Sequence, residues 1–201
     1  MMFNYFLSTR LPQLEAVAEH PFVQRLSSGS LPSRAFTAWM VQGLYINDAL
    51  IRFQAHLLRE APPSHRHILA VLLLTLSEDA DWLEEHISPL HHPLYPETER
   101  YCQVFTDLER LPYPLALAMN WCFHRTYQQL WREAVPTNEL MEFMCERWTS
   151  EEIQQLLSRL DTLVRPIWSQ VDPEDFLRII RQLLRLEMGI WGEALNAGAG
   201  S

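Results

Sequence analysis

Three residues in this chain stand at helical positions their chemistry makes conspicuous. Glu187, in "LLRLEMGIWG", lies on a stripe running Phe176, Ile180, Leu183, Glu187, Ile190 and Ala194. A carboxylate on an apolar stripe pairs with an arginine, reaches solvent, or stays buried with a raised pKa suited to moving protons. Cys122 lies on the stripe Leu115, Met119, Cys122, Phe123, Thr126 and Leu130. A buried cysteine is usually a small hydrophobe, but its thiolate is a strong nucleophile. Gly43 interrupts "AWMVQGLYIND" on the stripe Phe36, Met40, Gly43, Ile46 or Asn47, Leu50, and Phe53 or Gln54. An interior helical glycine costs roughly 1 kcal/mol relative to alanine. Either a close helix neighbour or room for a ligand has to compensate.

Other polar groups carry less. His124 is not the obvious base for Cys122, because residues two apart on a helix face away from each other. The run "SEDADWLEEH" puts Glu78, Asp81 and Glu85 on one face beside His86, and reads as a solvated acidic face. No Glu-x-x-His occurs, and the eight histidines show no ligand spacing, so neither a metal nor another cofactor is expected. Three cysteines without a Cys-x-x-Cys spacing give neither a disulfide framework nor a zinc site.

The elements that must position these groups are helices. Apolar residues recur every three to four positions almost throughout the 201 residues, with no convincing alternating strand pattern. Prolines punctuate the chain. One helix begins near Pro32 and ends near Pro62. The next runs from about Ser64 to Ser88, stopped by Pro89, and a shorter one covers Thr98 to Glu109. "LPYPLALAMNWCFHRTYQQLWREAVP" is a helix held between Pro114 and Pro136. "TSEE" predicts a capping box with Thr149 as N-cap and Glu152 three residues on. "DPED" opens the last helix with Asp172 as cap and Pro173 in the first turn. The expectation is one all-α, bundle-like domain of seven or eight helices over residues 1–195, followed by a flexible tail at 196–201.

Composition narrows the function classes. The net charge is −9, and all sixteen basic residues are arginines, which excludes lysine Schiff-base and P-loop chemistry. An acidic chain with no arginine run is a poor nucleic-acid binder. "MMFNYFLSTR" lacks the pattern of a signal peptide, and "ILAVLLLTL" is too short to span a bilayer, so a soluble cytoplasmic protein is expected.

Three stretches, in order along nearly the whole chain, resemble the TenA/THI-4 (thiaminase II) family. They are "HPFVQRLSSGSLPSRAFTAWMVQGLYI", "RWTSEEI" and "LEMGIWG". The resemblance implies a haem-oxygenase-like helical bundle that hydrolyses an aminopyrimidine or a related heteroaromatic ligand. Such a protein forms homodimers or homotetramers, for which Trp131 or Trp168 could supply aromatic surface. Cys122 then matches the family nucleophile and Glu187 the proton-moving carboxylate. Tyr101 matches a pocket tyrosine, and Trp148 falls where the family has another. Four positions depart from the pattern: Gly43 replaces the aspartate that anchors an aminopyrimidine, Ile46 and Thr126 replace tyrosines, and Ile190 replaces a phenylalanine. Asn47, one turn from Gly43, could supply a neutral acceptor. An altered substrate pocket follows, with two further readings. One is a non-catalytic small-molecule-binding or regulatory protein. The other is a metal-dependent oxygenase-type homologue that would join Glu78 to Glu187.

Overall fold

The computed structural model describes residues 17–88 and 93–199, and no strand occurs among them. The stop at Pro89, the first sixteen residues and the last two of the tail lie outside the described residues. Among the described residues the α-helices run, in order, α1 Pro21–Ser27, α2 Ser33–Glu60, α3 Pro63–His86, α4 Pro96–Leu108, α5 Tyr113–Glu133, α6 Glu139–Thr149, α7 Glu151–Ile167 and α8 Pro173–Ala199. A 3₁₀ turn, Trp168–Gln170, follows Pro166 at the end of α7.

Proline starts several of these helices for a simple reason: its missing N–H falls among donors that have no helical partner anyway. Pro21, Pro63 and Pro96 all occupy the first turn of their helices. Elsewhere a side chain serves as cap. Asn138 Oδ1 accepts from Met141 N at 3.0 Å, and Asp172 Oδ1 accepts from Glu174 N at 2.8 Å. The cap of α7 is Ser150, whose Oγ accepts from Ile153 N at 3.2 Å, and not Thr149. Thr149 still belongs to α6, and its hydroxyl donates to Cys145 O at 2.7 Å. The extended backbone that a cap needs occurs one residue later, at Ser150 (φ −58°, ψ 151°). At the far end, α8 continues to Ala199, into the segment expected to fray. Gly198 permits this, since a Cβ there would lie 3.0 Å from Ala35 Cβ and 3.2 Å from Ala35 N.

Helix α2 is the centre of the bundle, packed against α3, α4, α5 and α8, while α5 also packs against α6 and α7. Amide side chains on α2 tie it to its neighbours. Gln54 Nε2 donates to Leu69 O of α3 at 3.0 Å. Gln42, fully buried, donates to Pro93 O at 2.9 Å and accepts from Tyr95 N at 3.0 Å, holding the segment that leads into α4. Each such bond contributes about 0.5–1.5 kcal/mol, and losing one partner of a buried pair costs more.

Aromatic rings fill the space where α1, α2, α5 and α8 meet. Phe22 stacks on Trp191 with centroids 5.7 Å apart, and Trp39 lies 5.5 Å from Trp131. Trp131 is 1 % exposed, so it is core and not available to an interface. Trp168 is partly buried and packs edge-on against Phe176 at 5.2 Å. Phe36, also 1 % exposed, contacts both Trp39 and Trp131. Truncating such a ring removes its transfer energy and leaves a cavity. Phe36→Ala is therefore expected to lower stability by about 3–5 kcal/mol, read as a shifted midpoint in urea unfolding at an unchanged slope.

Candidate active site

Four helices converge on one buried carboxylate. Glu187 of α8 is 5 % exposed. Its Oε1 accepts from Trp39 Nε1 of α2 at 3.3 Å and from the Tyr127 hydroxyl of α5 at 3.3 Å. The phenol of Tyr101, from α4, and the indole of Trp191, one turn along α8, lie beside the same group. Oε2 has no hydrogen-bond partner, and neither does Trp191 Nε1. Burial penalises the anion more than the surrounding donors favour it, so the carboxyl is pushed up from 4.5 to about 7. Both protonation states are then accessible near neutral pH.

Cys122 faces the same cavity from α5. That cavity has a volume of about 590 Å³, within the usual range for small-molecule sites, and Cys122, Glu187, Tyr101, Thr126 and Tyr127 all border it. The thiol is 7 % exposed, and burial pushes it up to about 12, with the Thr126 hydroxyl opposing that shift. Thr126 sits one turn on, its Oγ1 donating to Cys122 O at 2.9 Å. The resting group is accordingly a thiol. Charged groups border the cavity's outer side, including exposed Arg132, Glu133 and Arg165. There the Arg125 guanidinium pairs with Asp161, which also accepts from Trp121 Nε1 at 2.6 Å.

The remaining expected site residues stand elsewhere. Gly43, Ile46, Asn47 and Trp148 border a second cavity of about 60 Å³. Phe123 and Tyr127, stacked at 4.6 Å, border both cavities and so lie between them. All of the expected set but Ile190 thus fall in two groups flanking one aromatic pair. A Cβ at Gly43 would meet nothing within 4 Å, so the glycine faces open space and is not held by a close helix neighbour. Asn47 Nδ2 donates to Leu76 O of α3 at 3.3 Å, which turns its amide toward a structural task. Ile190 is fully buried and borders neither cavity. His124 is likewise separate from Cys122 chemistry: it stacks near Trp148 at 6.1 Å, and burial lowers it to about 3.

Sequence periodicity pointed to Glu187 and Cys122 but passed over several of their neighbours. Trp39 and Trp191 lie four residues before Gly43 and four after Glu187, spacings that place them on the same helical faces. Asp79 falls on the apolar stripe Leu72, Leu76, Asp79, Leu83 and borders the smaller cavity. Glu78, Asp81, Glu85 and His86 are exposed, as a solvated face requires. Glu78 borders neither cavity, so it does not meet Glu187. Tyr127 gave no signal, because it follows Thr126 directly and lies off the Cys122 stripe. Among the described residues, no group of three or more His, Cys, Asp or Glu is placed to hold a metal ion. None of their helices is long and apolar enough to cross a membrane.

The described helices form an all-α bundle of haem-oxygenase-like fold. More narrowly, the fold is that of the TenA proteins. A TenA homologue from Pyrococcus furiosus matches over 96 % of this chain and 100 % of its own, with a TM-score of 0.82 at 16 % identity. A TenA family transcription regulator from Silicibacter sp. TM1040 matches over 97 % and 96 %, with a TM-score of 0.78 at 17 % identity. A provisionally assigned TenA-like thiaminase from Sulfolobus solfataricus covers 89 % of this chain and 88 % of its own, with a TM-score of 0.69 at 18 % identity. No family model matches the sequence, and no curated protein matches it.

The raised Glu187 carboxyl has a consequence for stability. The folded chain keeps a proton that the unfolded chain releases near pH 4.5, so this group's stabilisation is complete below that pH and is lost as pH rises through about 7. Across the window the change is at most roughly 3 kcal/mol. Glu187→Gln is expected to remove that part of the slope, as measured by urea unfolding at about pH 5 and about pH 7.5. Parallel pH profiles for the two proteins would mean that the carboxyl titrates normally.

Proposed function

We propose that this chain is a divergent TenA-type hydrolase acting on an aminopyrimidine or a related heteroaromatic, with Cys122 as nucleophile and Glu187 as proton carrier. One observation carries the reading: a buried thiol and a buried carboxyl with an unpartnered oxygen border the same cavity. Tyr101, whose phenol responds electrostatically to both groups, stands with them.

The order of proton transfer follows from the two acidities. With the thiol near 12 and the carboxyl near 7, moving the proton before attack would cost about 7 kcal/mol. A preformed thiolate is therefore disfavoured, and proton loss accompanies attack. As sulfur bonds to the electron-poor ring carbon, the Glu187 carboxylate takes the thiol proton and delivers it to a ring nitrogen. The proton on the ring nitrogen then passes by way of Glu187 to the amino group, which leaves as ammonia as the ring regains its aromaticity. Water then adds to the ring carbon that bears sulfur, Glu187 passes one of its protons to the departing thiolate, and the hydroxylated ring and the free Cys122 thiol are left. Tyr127 and Trp39 hold the carboxyl through Oε1. Phe123 and Tyr127 supply an aromatic wall against which a flat ring can lie.

The likeness to TenA proteins, one of them provisionally a thiaminase, supports this reading. The net charge of −9 argues against a regulator that binds DNA. The setting that accompanies the proposal is cytoplasmic, with a small heteroaromatic ligand, no nucleic-acid or membrane partner, and assembly as a homodimer or homotetramer. A second reading, binding without turnover, is favoured by the same burial that keeps Cys122 protonated and by the four departures at Gly43, Ile46, Thr126 and Ile190.

Ammonia release from 4-amino-5-hydroxymethyl-2-methylpyrimidine and simpler aminopyrimidines separates the two. The hydrolase reading expects turnover that falls by about a thousandfold or more in Cys122→Ala. It also expects an apparent pKa of about 7 in kcat/KM that disappears in Glu187→Gln. Turnover unchanged in Cys122→Ala, or ligand binding without turnover, would overturn it.

A further inference from the structure

One glycine of α8 is pressed against a neighbouring helix. A Cβ at Gly189 would lie 2.7 Å from Glu97 Cγ of α4, whereas one at Gly192 would meet nothing within 4 Å. Alanine is the better helix former, so a glycine inside α8 calls for a compensating use. Glu97 lies across the gap that Gly189 leaves. Its Oε1 accepts from Arg100 Nη1 at 3.4 Å, its Oε2 is buried, and its carboxyl meets that of Glu193, one turn beyond Gly189.

Glu97 has little freedom to withdraw. Tyr95 and Thr98, on either side of it, are 5 % and 0 % exposed, and Tyr95 N donates to the buried Gln42 of α2 at 3.0 Å. The atom in the way is Cγ, which is tied closely to the backbone, and not the far end of the side chain. A methyl group added at Gly189 is therefore relieved by moving α4 outward. That movement carries Tyr101, which follows Glu97 by one turn and shares its helix face. Tyr101 is 3 % exposed, and its phenol lies beside Glu187. From Glu97 to Tyr101 along α4, the facing residues on α8 run back from Glu193 and Gly189 to Glu187. The spacing of the two helices at Gly189 is thus the spacing at which phenol and carboxyl meet.

We infer that Gly189 is a positioning residue: it sets the distance between α4 and α8 that keeps Tyr101 at Glu187, with the Glu97 side chain as the spacer. Gly189 touches no reacting atom and acts through α4. The inference rests on the hydrolase reading only for the use to which the Glu187 proton is put.

Carbon-13 NMR titration of the full chain, labelled at its glutamate carboxyls, tests it without any turnover. The Glu187 signal is the one lost in Glu187→Gln. Burial raises this carboxyl, and the donors facing it, Trp39 of α2, Tyr127 of α5, Tyr101 of α4 and Trp191 of α8, oppose that rise. Gly189→Ala should move its midpoint from about 7 to about 8, and Tyr101→Phe should do the same. The two changes combined should shift it no further than either alone. Glu97→Ala removes the obstructing Cγ and leaves only its Cβ, at 3.6 Å from the added atom, an ordinary contact. By itself it should leave the midpoint at about 7, and in combination it should return Gly189→Ala to about 7. Helical circular dichroism and cooperative urea unfolding should be kept throughout. Should Gly189→Ala unfold, Glu97→Ala has to restore both the fold and the midpoint. An unmoved midpoint in Gly189→Ala or in Tyr101→Phe, additive shifts in their combination, or no rescue by Glu97→Ala would each overturn the assignment. Failure of the hydrolase reading looks different. Absent turnover with the expected midpoints leaves Gly189 in this role, while turnover dependent on Cys122 with an unmoved midpoint in Gly189→Ala removes this inference alone.

Discussion

The buried carboxyl of Glu187 is the constraint around which the rest of the molecule is arranged. A carboxylate taken out of water with no partner would either unfold its surroundings or stay protonated. Here Trp39 and Tyr127 each donate to one oxygen while the other remains without a partner. The two bonds, both 3.3 Å, are not enough to offset burial, which leaves the group balanced between its two states near neutrality. That balance requires α2, α5 and α8 to be held in register, which is the work of the aromatic core and the amide ties from α2.

The aromatic residues have two tasks in this fold. Phe22, Phe36, Trp131 and Trp191 pack as core, contributing burial energy on the order of 1.5–3 kcal/mol each. Phe123 and Tyr127 instead divide the interior into a larger compartment with the thiol and carboxyl, and a smaller one beside Gly43 and Asp79. Tyr127 links the two tasks, since its ring forms the partition while its hydroxyl holds Glu187. The space beside Gly43 is not bordered by apolar residues alone. Asp79, paired with Arg147, faces the same space from the neighbouring helix.

Much of this was legible in the chain, for reasons particular residues show. The helix limits followed prolines and caps, because those residues act on the backbone within one turn; Asp172 caps α8 as expected, and the α7 cap moved by one residue to Ser150 only because α6 runs through Thr149. Cys122 and Glu187 stood out because a polar group on an apolar stripe is visible from spacing alone. Asp79 lay on such a stripe as well, but the acidic run around it hid the signal. Tyr127 was invisible, since its position is set by the rotation of α5 against α8 and not by any period of its own helix.

By itself the sequence determined that the chain is helical, where its helices begin and end, and which faces turn inward. These are consequences of local backbone geometry and of hydrophobic periodicity, and both are written within a few residues of each other. Only the tertiary structure decided that Cys122 and Glu187 share a cavity, that Gly43 faces space, and that Asp79 rather than Glu78 reaches the interior. Those facts depend on how helices distant in sequence are packed against one another. The free energy that sets that packing is summed over the whole core, and no single segment carries it.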